Sequence, residues 1–280
     1  MTRKTYTLGF SPCPNDTFIF DALVHGRIET HDLTPEVTLA DVETLNRWAA
    51  EGKLDVTKLS YHAYAHVCNE YIMLDSGSAL GRNCGPLVIT ADIKSLNRKP
   101  RSEWKVAIPG NRTTAHFLFS LAYPEVITKE EMVFSDIEDA VVKGSVDAGV
   151  IIHENRFTYA EKGLEKLSDL GEFWEESTGM PIPLGGIAAR RSLGKEVLMQ
   201  IRNAIRDSVD YAMEHPADCN PYVRLHAQEM SETVQRQHIA LYVNDFSREL
   251  GPEGRRAVEH MFGKGNELGL WSPCEELFIP

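Results

Sequence analysis

Up to about residue 190 the chain switches repeatedly between two hydrophobic periods; beyond it, one period prevails. Residues 4–10 alternate polar and apolar side chains as a strand does, and residues 17–24 form an apolar helical stretch. Between them lies Ser11-Pro12-Cys13-Pro14-Asn15-Asp16. Its two prolines lack an N–H and have a fixed φ, which stops the strand. Asn15 or Asp16 is placed to cap the helix by accepting from its open N–H groups. Further strands are expected at 37–39, 54–59, 72–74, 87–90, 105–108, 132–134 and 147–152, and helices at 42–50, 61–67, 115–122 and 137–143. Residues 157–170 read first as helix and then as strand. Pro181-Ile182-Pro183-Leu184-Gly185-Gly186 then runs into an apolar strand reaching residue 189. The rest is helical, at 197–213, 221–229, 234–242 and 252–262, with Gly263 as the last stop.

Alternating strands and helices predict an α/β fold with mostly parallel sheets. Two stretches read as crossings between domains, near residues 87–91 and 185–190. They divide the chain into a larger discontinuous α/β domain, 1–90 with 187–280, and a smaller α/β domain, 91–186. An interdomain cleft is then the expected ligand site.

Several strand ends carry candidate chemistry. Ser11 to Thr17 joins a strand to a helix start, where ligands of open α/β sheets bind, although a stiff turn with an ordinary cap explains the same residues. Lys58 and Ser60 are two apart on a strand and share a face; a cation and a hydroxyl there suit a ligand oxygen, or are a surface lysine and a routine cap. Gly110-Asn111-Arg112-Thr113-Thr114 repeats the opening architecture, and its N–H groups and hydroxyls suit a carboxylate or phosphate. His153 follows a buried strand, and an imidazole with an ordinary pKa of about 6.5 can move protons there.

The formal net charge of −12 over 280 residues argues against nucleic acid and anionic lipid as partners. A small anionic substrate needs local positive potential alone. No stretch approaches the roughly 20 apolar residues of a membrane span, and Met1-Thr2-Arg3-Lys4 lacks the apolar run of a secretory signal. Five dispersed cysteines predict reduced thiols and a cytoplasmic location. The oligomeric state is left open, a homodimer being one option. His62, His66 and Glu70 have metal-ligand spacing on a helix face, but nothing completes the shell and no metal is expected. A phosphate-binding G-x-x-x-x-G-K-[ST], a G-x-G-x-x-G and a G-x-S-x-G are all absent. Cys13, at a helix start, is either a nucleophile or a structural residue between prolines.

Leu8-Gly9-Phe10-Ser11-Pro12-Cys13-Pro14-Asn15-Asp16-Thr17-Phe18 with Asp21-Ala22-Leu23 resembles the opening of the 1,4-dihydroxy-6-naphthoate synthase family of menaquinone biosynthesis, futalosine route. Lys58-Leu59-Ser60, Gly110-Asn111-Arg112-Thr113-Thr114-Ala115, Val150-Ile151-Ile152-His153-Glu154 and the Pro181 to Gly186 stretch match in the same order. The resemblance implies a two-lobed fold like the type II periplasmic binding proteins. It implies a lyase that converts cyclic dehypoxanthinyl futalosine into 1,4-dihydroxy-6-naphthoate and dihydroxyacetone, with no redox cofactor or metal. It carries the proton-accepting role to His153 and substrate binding to Lys58, Leu59, Ser60, Thr113 and Thr114. Asn15, Asp16 and Asn111 join these as binding candidates from their loops. The alternatives are chorismate dehydratase, a sister enzyme of the same pathway, and a non-catalytic protein that binds a small anion. The Ser-Pro-Cys-Pro-Asn-Asp opening and the histidine after Val150-Ile151-Ile152 favour the naphthoate enzyme.

Overall fold

In the computed structural model, which describes residues 4–30, 32–228 and 231–279, strands lie at Lys4–Phe10 (β1), Leu33–Leu39 (β2), Val56–Ser60 (β3), Tyr71–Met73 (β4), Ala79–Gly81 (β5), Leu87–Thr90 (β6), Lys105–Ile108 (β7), Thr128–Glu131 (β8), Ala148–Ile151 (β9), Glu165–Asp169 (β10) and Ile182–Arg190 (β11). Helices span Pro14–Val24 (α1), Val42–Ala50 (α2), Tyr61–Tyr64 (α3), Ile93–Leu96 (α4), Thr114–Ala122 (α5), Ile137–Val142 (α6) and Asn155–Thr158 (α7). They continue with Leu170–Thr178 (α8), Lys195–Glu214 (α9), Pro216–His226 (α10), Glu232–Tyr242 (α11), Asp245–Arg248 (α12) and Gly251–Glu267 (α13). The chain forms two units, one from both chain ends up to Gly81 and from Pro183 on, the other Arg82–Ile182.

The first unit is built on a sheet of order β2-β1-β3-β11-β4, with β5 beside β11. Helix α1 packs against α9, α10 and α11, so every residue from Pro14 to Leu23 is buried. A helix covered on all sides shows little amphipathic pattern. Long α9 does show one: Leu198, Ile201, Ala204, Ile205, Ser208, Val209 and Ala212 make its buried stripe. Ser208 turns its hydroxyl to α1, donating to the Ile19 carbonyl (2.6 Å) and accepting the Leu23 N–H (3.0 Å). Phe10 of β1 stacks on Phe20 of α1 with ring centroids 4.4 Å apart, and Leu8, Ile187 and Ile201 complete this part of the core.

The second unit has the order β10-β6-β9-β7-β8 over a core that includes Leu87, Ile89, Ile137, Val141 and Ile151. Gly85 and Gly171 touch backbone to backbone, and a Cβ on Gly85 would run into the Gly171 amide.

Both sheets are mixed, not mostly parallel as expected. Parallel pairs join β1 to β2 and β3, and β7 to β8 and β9. The antiparallel pairs all involve the two strands next to the crossings: β11 with β3 and β4, and β6 with β9 and β10. The divisions fall at 81/82 and 182/183, where 90/91 and 186/187 were expected. The apolar run 87–90 is an inner strand of the second sheet, hydrogen-bonded on both edges, and so belongs to that unit.

Other differences are local. The strand expected at 132–134 lies at Thr128–Glu131, and Phe134 begins a single 3₁₀ turn that buries its ring. Gly263 does not stop α13, which continues to Glu267; Gly265 lies under the Trp271 ring, where a Cβ would collide. The helix expected at 221–229 starts earlier, at Pro216, and Glu229 lies outside the described residues.

The five cysteines are not all reduced. Cys68 and Cys274 form a disulfide across 206 residues, while Cys13, Cys84 and Cys219 are buried thiols. Sequence spacing held no sign of the pair, because a tertiary contact makes it: the chain end lies along β4, with Ile279 N–H donating to the Met73 carbonyl (3.0 Å) and Met73 N–H to the Leu277 carbonyl (3.2 Å). Closing so long a loop is worth about 5 kcal/mol in the chain-entropy account. Cys68→Ser or Cys274→Ser should lower the unfolding free energy by that order in urea titrations, and alkylation of the unfolded, unreduced wild type should mark three thiols; five marked thiols would contradict the pairing.

Candidate functional site

In the first unit the site grows from the junction of β1 and α1. Pro14 occupies the first helical position, where its missing N–H costs nothing and its φ suits the helix. The cap position therefore falls on Cys13, whose side chain makes no capping bond. Neither Asn15 nor Asp16 is the cap that the sequence led us to expect; both stand in the first turn. Asp16 turns back instead. Its Oδ2 accepts the Ser11 N–H (3.2 Å) and hydroxyl (2.6 Å), and its Oδ1 accepts Asn15 Nδ2 (2.9 Å) and Lys58 Nζ (2.8 Å).

Asp16 is 1% exposed and Lys58 5%. A buried ion pair is tolerable only when its remaining hydrogen-bonding capacity is filled, and four donors fill this carboxylate. Lys58 comes from β3, whose five residues are all buried. Its other contact among the described residues is a long one of 3.5 Å to the Gly77 carbonyl.

Ser60 stands at the start of α3 but does not cap it with its side chain. Asn46 of α2 engages it, accepting the Ser60 N–H (2.9 Å) and donating to the Ser60 hydroxyl (3.2 Å). Leu59, between the two candidates, is wholly buried, and Gly185 and Gly186 of β11 lie opposite Ser60 and Leu59. A Cβ on Gly185 would press on the Leu59 carbonyl. Tyr61 donates to or accepts from Ser78 at 2.7 Å, and burial pushes its phenol well above the usual value.

The second unit has its own cluster. After β7, Thr113 caps α5 by accepting the His116 N–H (3.2 Å) and donates its hydroxyl to the Gly110 carbonyl (2.8 Å). Thr113 and Thr114 are buried; Asn111 is exposed and donates to the Glu131 carboxylate by a short hydrogen bond. His116 Nδ1 donates to the Asn111 carbonyl (2.9 Å), a contact that raises its pKa. Burial outweighs it and, with Lys129 nearby, holds the imidazole below its ordinary value.

His153 lies just past β9, in the left-handed region at φ 58°. Among the described residues Asn83 is the other non-glycine with positive φ. Such a conformation is uncommon and marks positions that the surroundings hold in place. The His153 ring meets Phe134 edge-on at 4.9 Å, and Glu154 beside it is buried. The expected residues thus divide between the units, Asn15, Asp16, Lys58, Leu59 and Ser60 in one and Asn111, Thr113, Thr114 and His153 in the other.

The sequence reading missed Asn46 and His238. Asn46 belongs to the buried stripe of α2 with Leu45 and Ala49, and His238 to the buried stripe of α11 with Gln235 and Tyr242. For Asn46 a polar side chain beside apolar Leu45 and Ala49 was the available signal; the buried positions of α11 are themselves largely polar, and no such signal marks His238. His62 and His66 have ring centroids 5.4 Å apart and both meet Trp271. No three-ligand set forms around them and Glu70 among the described residues. No helix there is long and apolar enough to cross a membrane.

A family model described as menaquinone biosynthesis matches residues 6–267. The chain is 51% identical over 274 residues to a 1,4-dihydroxy-6-naphthoate synthase of Thermus thermophilus, covering 97% of this chain and 98% of that one. It is 44% identical over 275 residues to the synthase of that name from Streptomyces coelicolor, covering 96% of each. A crystal structure of a protein from Archaeoglobus fulgidus superposes with a TM-score of 0.88 at 32% identity, covering 95% of this chain and 98% of that one. The alkanesulfonate-binding protein of Xanthomonas axonopodis superposes at 0.70 with 11% identity, covering 100% and 97%. At that identity the likeness is one of fold alone, and the fold is that of the periplasmic binding proteins.

The Asp16–Lys58 pair makes a stability test. Asp16→Asn leaves a buried ammonium without its counter-charge and should cost roughly 3–5 kcal/mol in urea unfolding, whereas Asp16→Asn with Lys58→Met removes both charges, keeps an acceptor for Ser11 and should cost far less. Equal losses would show that the charges are not what the site depends on.

Proposed function

The chain belongs to the 1,4-dihydroxy-6-naphthoate synthase family, enzymes of menaquinone biosynthesis, and from that footing we propose that it converts cyclic dehypoxanthinyl futalosine into 1,4-dihydroxy-6-naphthoate and dihydroxyacetone with His153 as general base. The observation that carries the assignment is the backbone at His153. A buried strand delivers the residue, a left-handed φ turns it, and an aromatic edge braces its ring. A left-handed non-glycine residue is uncommon, and at His153 it coincides with the end of a buried strand and a ring contact.

The reaction breaks a carbon–carbon bond, releases a three-carbon fragment and leaves an aromatic ring. It needs a proton removed and a developing oxyanion stabilised. Imidazole suits the first task at neutral pH. Thr113 and Thr114, with the first amides of α5, suit the second or the substrate carboxylate, and Asn111 stands at the same turn. In the first unit Lys58 offers an ammonium, Ser60 offers a hydroxyl and Leu59 offers backbone, while the Asn15 amide is engaged with Asp16 and His238. Asp16 serves as the lysine's counter-ion, since its oxygens are already engaged. The cleavage passes no electrons to an acceptor, so the reading includes no redox cofactor.

Removing a general base typically costs a factor of about 10²–10⁴ in rate. His153→Asn should therefore lose kcat by that order on cyclic dehypoxanthinyl futalosine while calorimetry finds substrate affinity within about threefold of wild type. Near-normal kcat would remove His153 from the mechanism; turnover of chorismate in place of the futalosine derivative would remove the proposed substrate.

A further inference from the structure

We propose that His238, far from the family motifs in sequence, is a positioning residue that sets the Lys58 ammonium through Asn15 and Asp16; this rests on the reading of Lys58 as a substrate-binding residue. His238 Nε2 lies 2.8 Å from Asn15 Oδ1, across 223 residues of chain, and the ring is 1% exposed. It is braced by Tyr242 one turn on, ring centroids 4.6 Å apart.

Each atom in the series has a fixed donor or acceptor role. Lysine has donors alone, and an ionised carboxylate accepts alone. Lys58 Nζ and Asn15 Nδ2 both donate to Asp16 Oδ1. The Asn15 amide must therefore present its NH₂ to Asp16, which leaves Oδ1 facing His238. Oδ1 accepts, so His238 Nε2 carries the proton. Taking that proton away leaves Asn15 Oδ1 buried without its donor and removes the contact that fixes the amide from the far side. The amide still turns its NH₂ to Asp16, since the opposite orientation would set a carbonyl oxygen against a carboxylate oxygen, but its position is no longer held. The direction in which Asp16 holds Lys58 is then less fixed.

Two of the ammonium's contacts are with the protein, one short and one long; its remaining N–H is the one that reaches a substrate oxygen. The direction of that N–H depends on where Asp16 sits. Helix α11 thereby helps to orient a cation on β3 without touching substrate, and a uniform binding contact of this type acts on KM more than on kcat.

The test compares wild type, His238→Phe, His238→Gln, Lys58→Met and the double variant His238→Phe/Lys58→Met in steady-state kinetics on cyclic dehypoxanthinyl futalosine. His238→Phe should raise KM about tenfold with kcat within about threefold, and His238→Gln, whose amide can donate to Asn15, should return KM to within about threefold of wild type. On the Lys58→Met background His238→Phe should change nothing more, because the residue acts through the lysine. An additive loss in the double variant, or an unchanged KM in His238→Phe, overturns the proposal while leaving Lys58 in place. An unchanged KM in Lys58→Met instead overturns the reading of Lys58. Should His238→Phe fail to fold, His238→Leu is close to imidazole in volume and reads the same quantities. Independently of substrate, two-bond ¹H–¹⁵N spectra should show His238 protonated on Nε2; a bare Nε2 with a protonated Nδ1 overturns the proposal directly.

Discussion

The first unit depends on one buried contact, the ion pair of Asp16 with Lys58. Charges taken out of water are costly unless every lone pair and proton finds a partner. That demand reaches back along the chain. It calls on the Ser11 amide and hydroxyl at the end of β1, on the Asn15 amide in α1, and through Asn15 on His238 in α11. Three segments distant in sequence are fixed relative to one another by the solvation of one carboxylate. The prolines serve the same end. Pro14 starts the helix one turn before Thr17, and this places Asp16 inside the first turn instead of at the cap.

The pieces that were legible in the sequence were those set by local period. Residues 4–10, 42–50, 87–90 and 105–108 have the bounds their patterns imply, because their polar and apolar positions answer to burial on one or two faces. The strand lysine and serine were visible as a pair sharing a face. What was not visible is what other segments do to them. Ser60 looks like a cap by sequence, but Asn46, fourteen residues earlier, holds both its amide and its hydroxyl. Cys68 looks solitary because its partner is 206 residues away. The boundary at 90/91 was misplaced because an apolar strand announces that it is buried without saying in which sheet. The left-handed turn at His153 is likewise a tertiary outcome that no residue preference discloses.

The two strand–loop–helix junctions look alike in sequence and differ in charge. Helix α1 carries Asp16 in its first turn, and that carboxylate already answers the positive end of the helix dipole. Helix α5 has no acidic residue in its first turn; Thr113 satisfies one amide through its own hydroxyl at the cap, and His116 is held toward its neutral form. An anionic group is therefore favoured at the second junction and already supplied by the protein at the first. Under the proposed function that contrast favours Thr113 and Thr114, in the same unit as His153, for the substrate carboxylate or a developing oxyanion. The role proposed for Lys58 is then narrower than that of a general anion trap. Its charge is paired with Asp16, so the contribution proposed for it is a directed N–H more than a field, with a direction that depends on the residues holding Asp16.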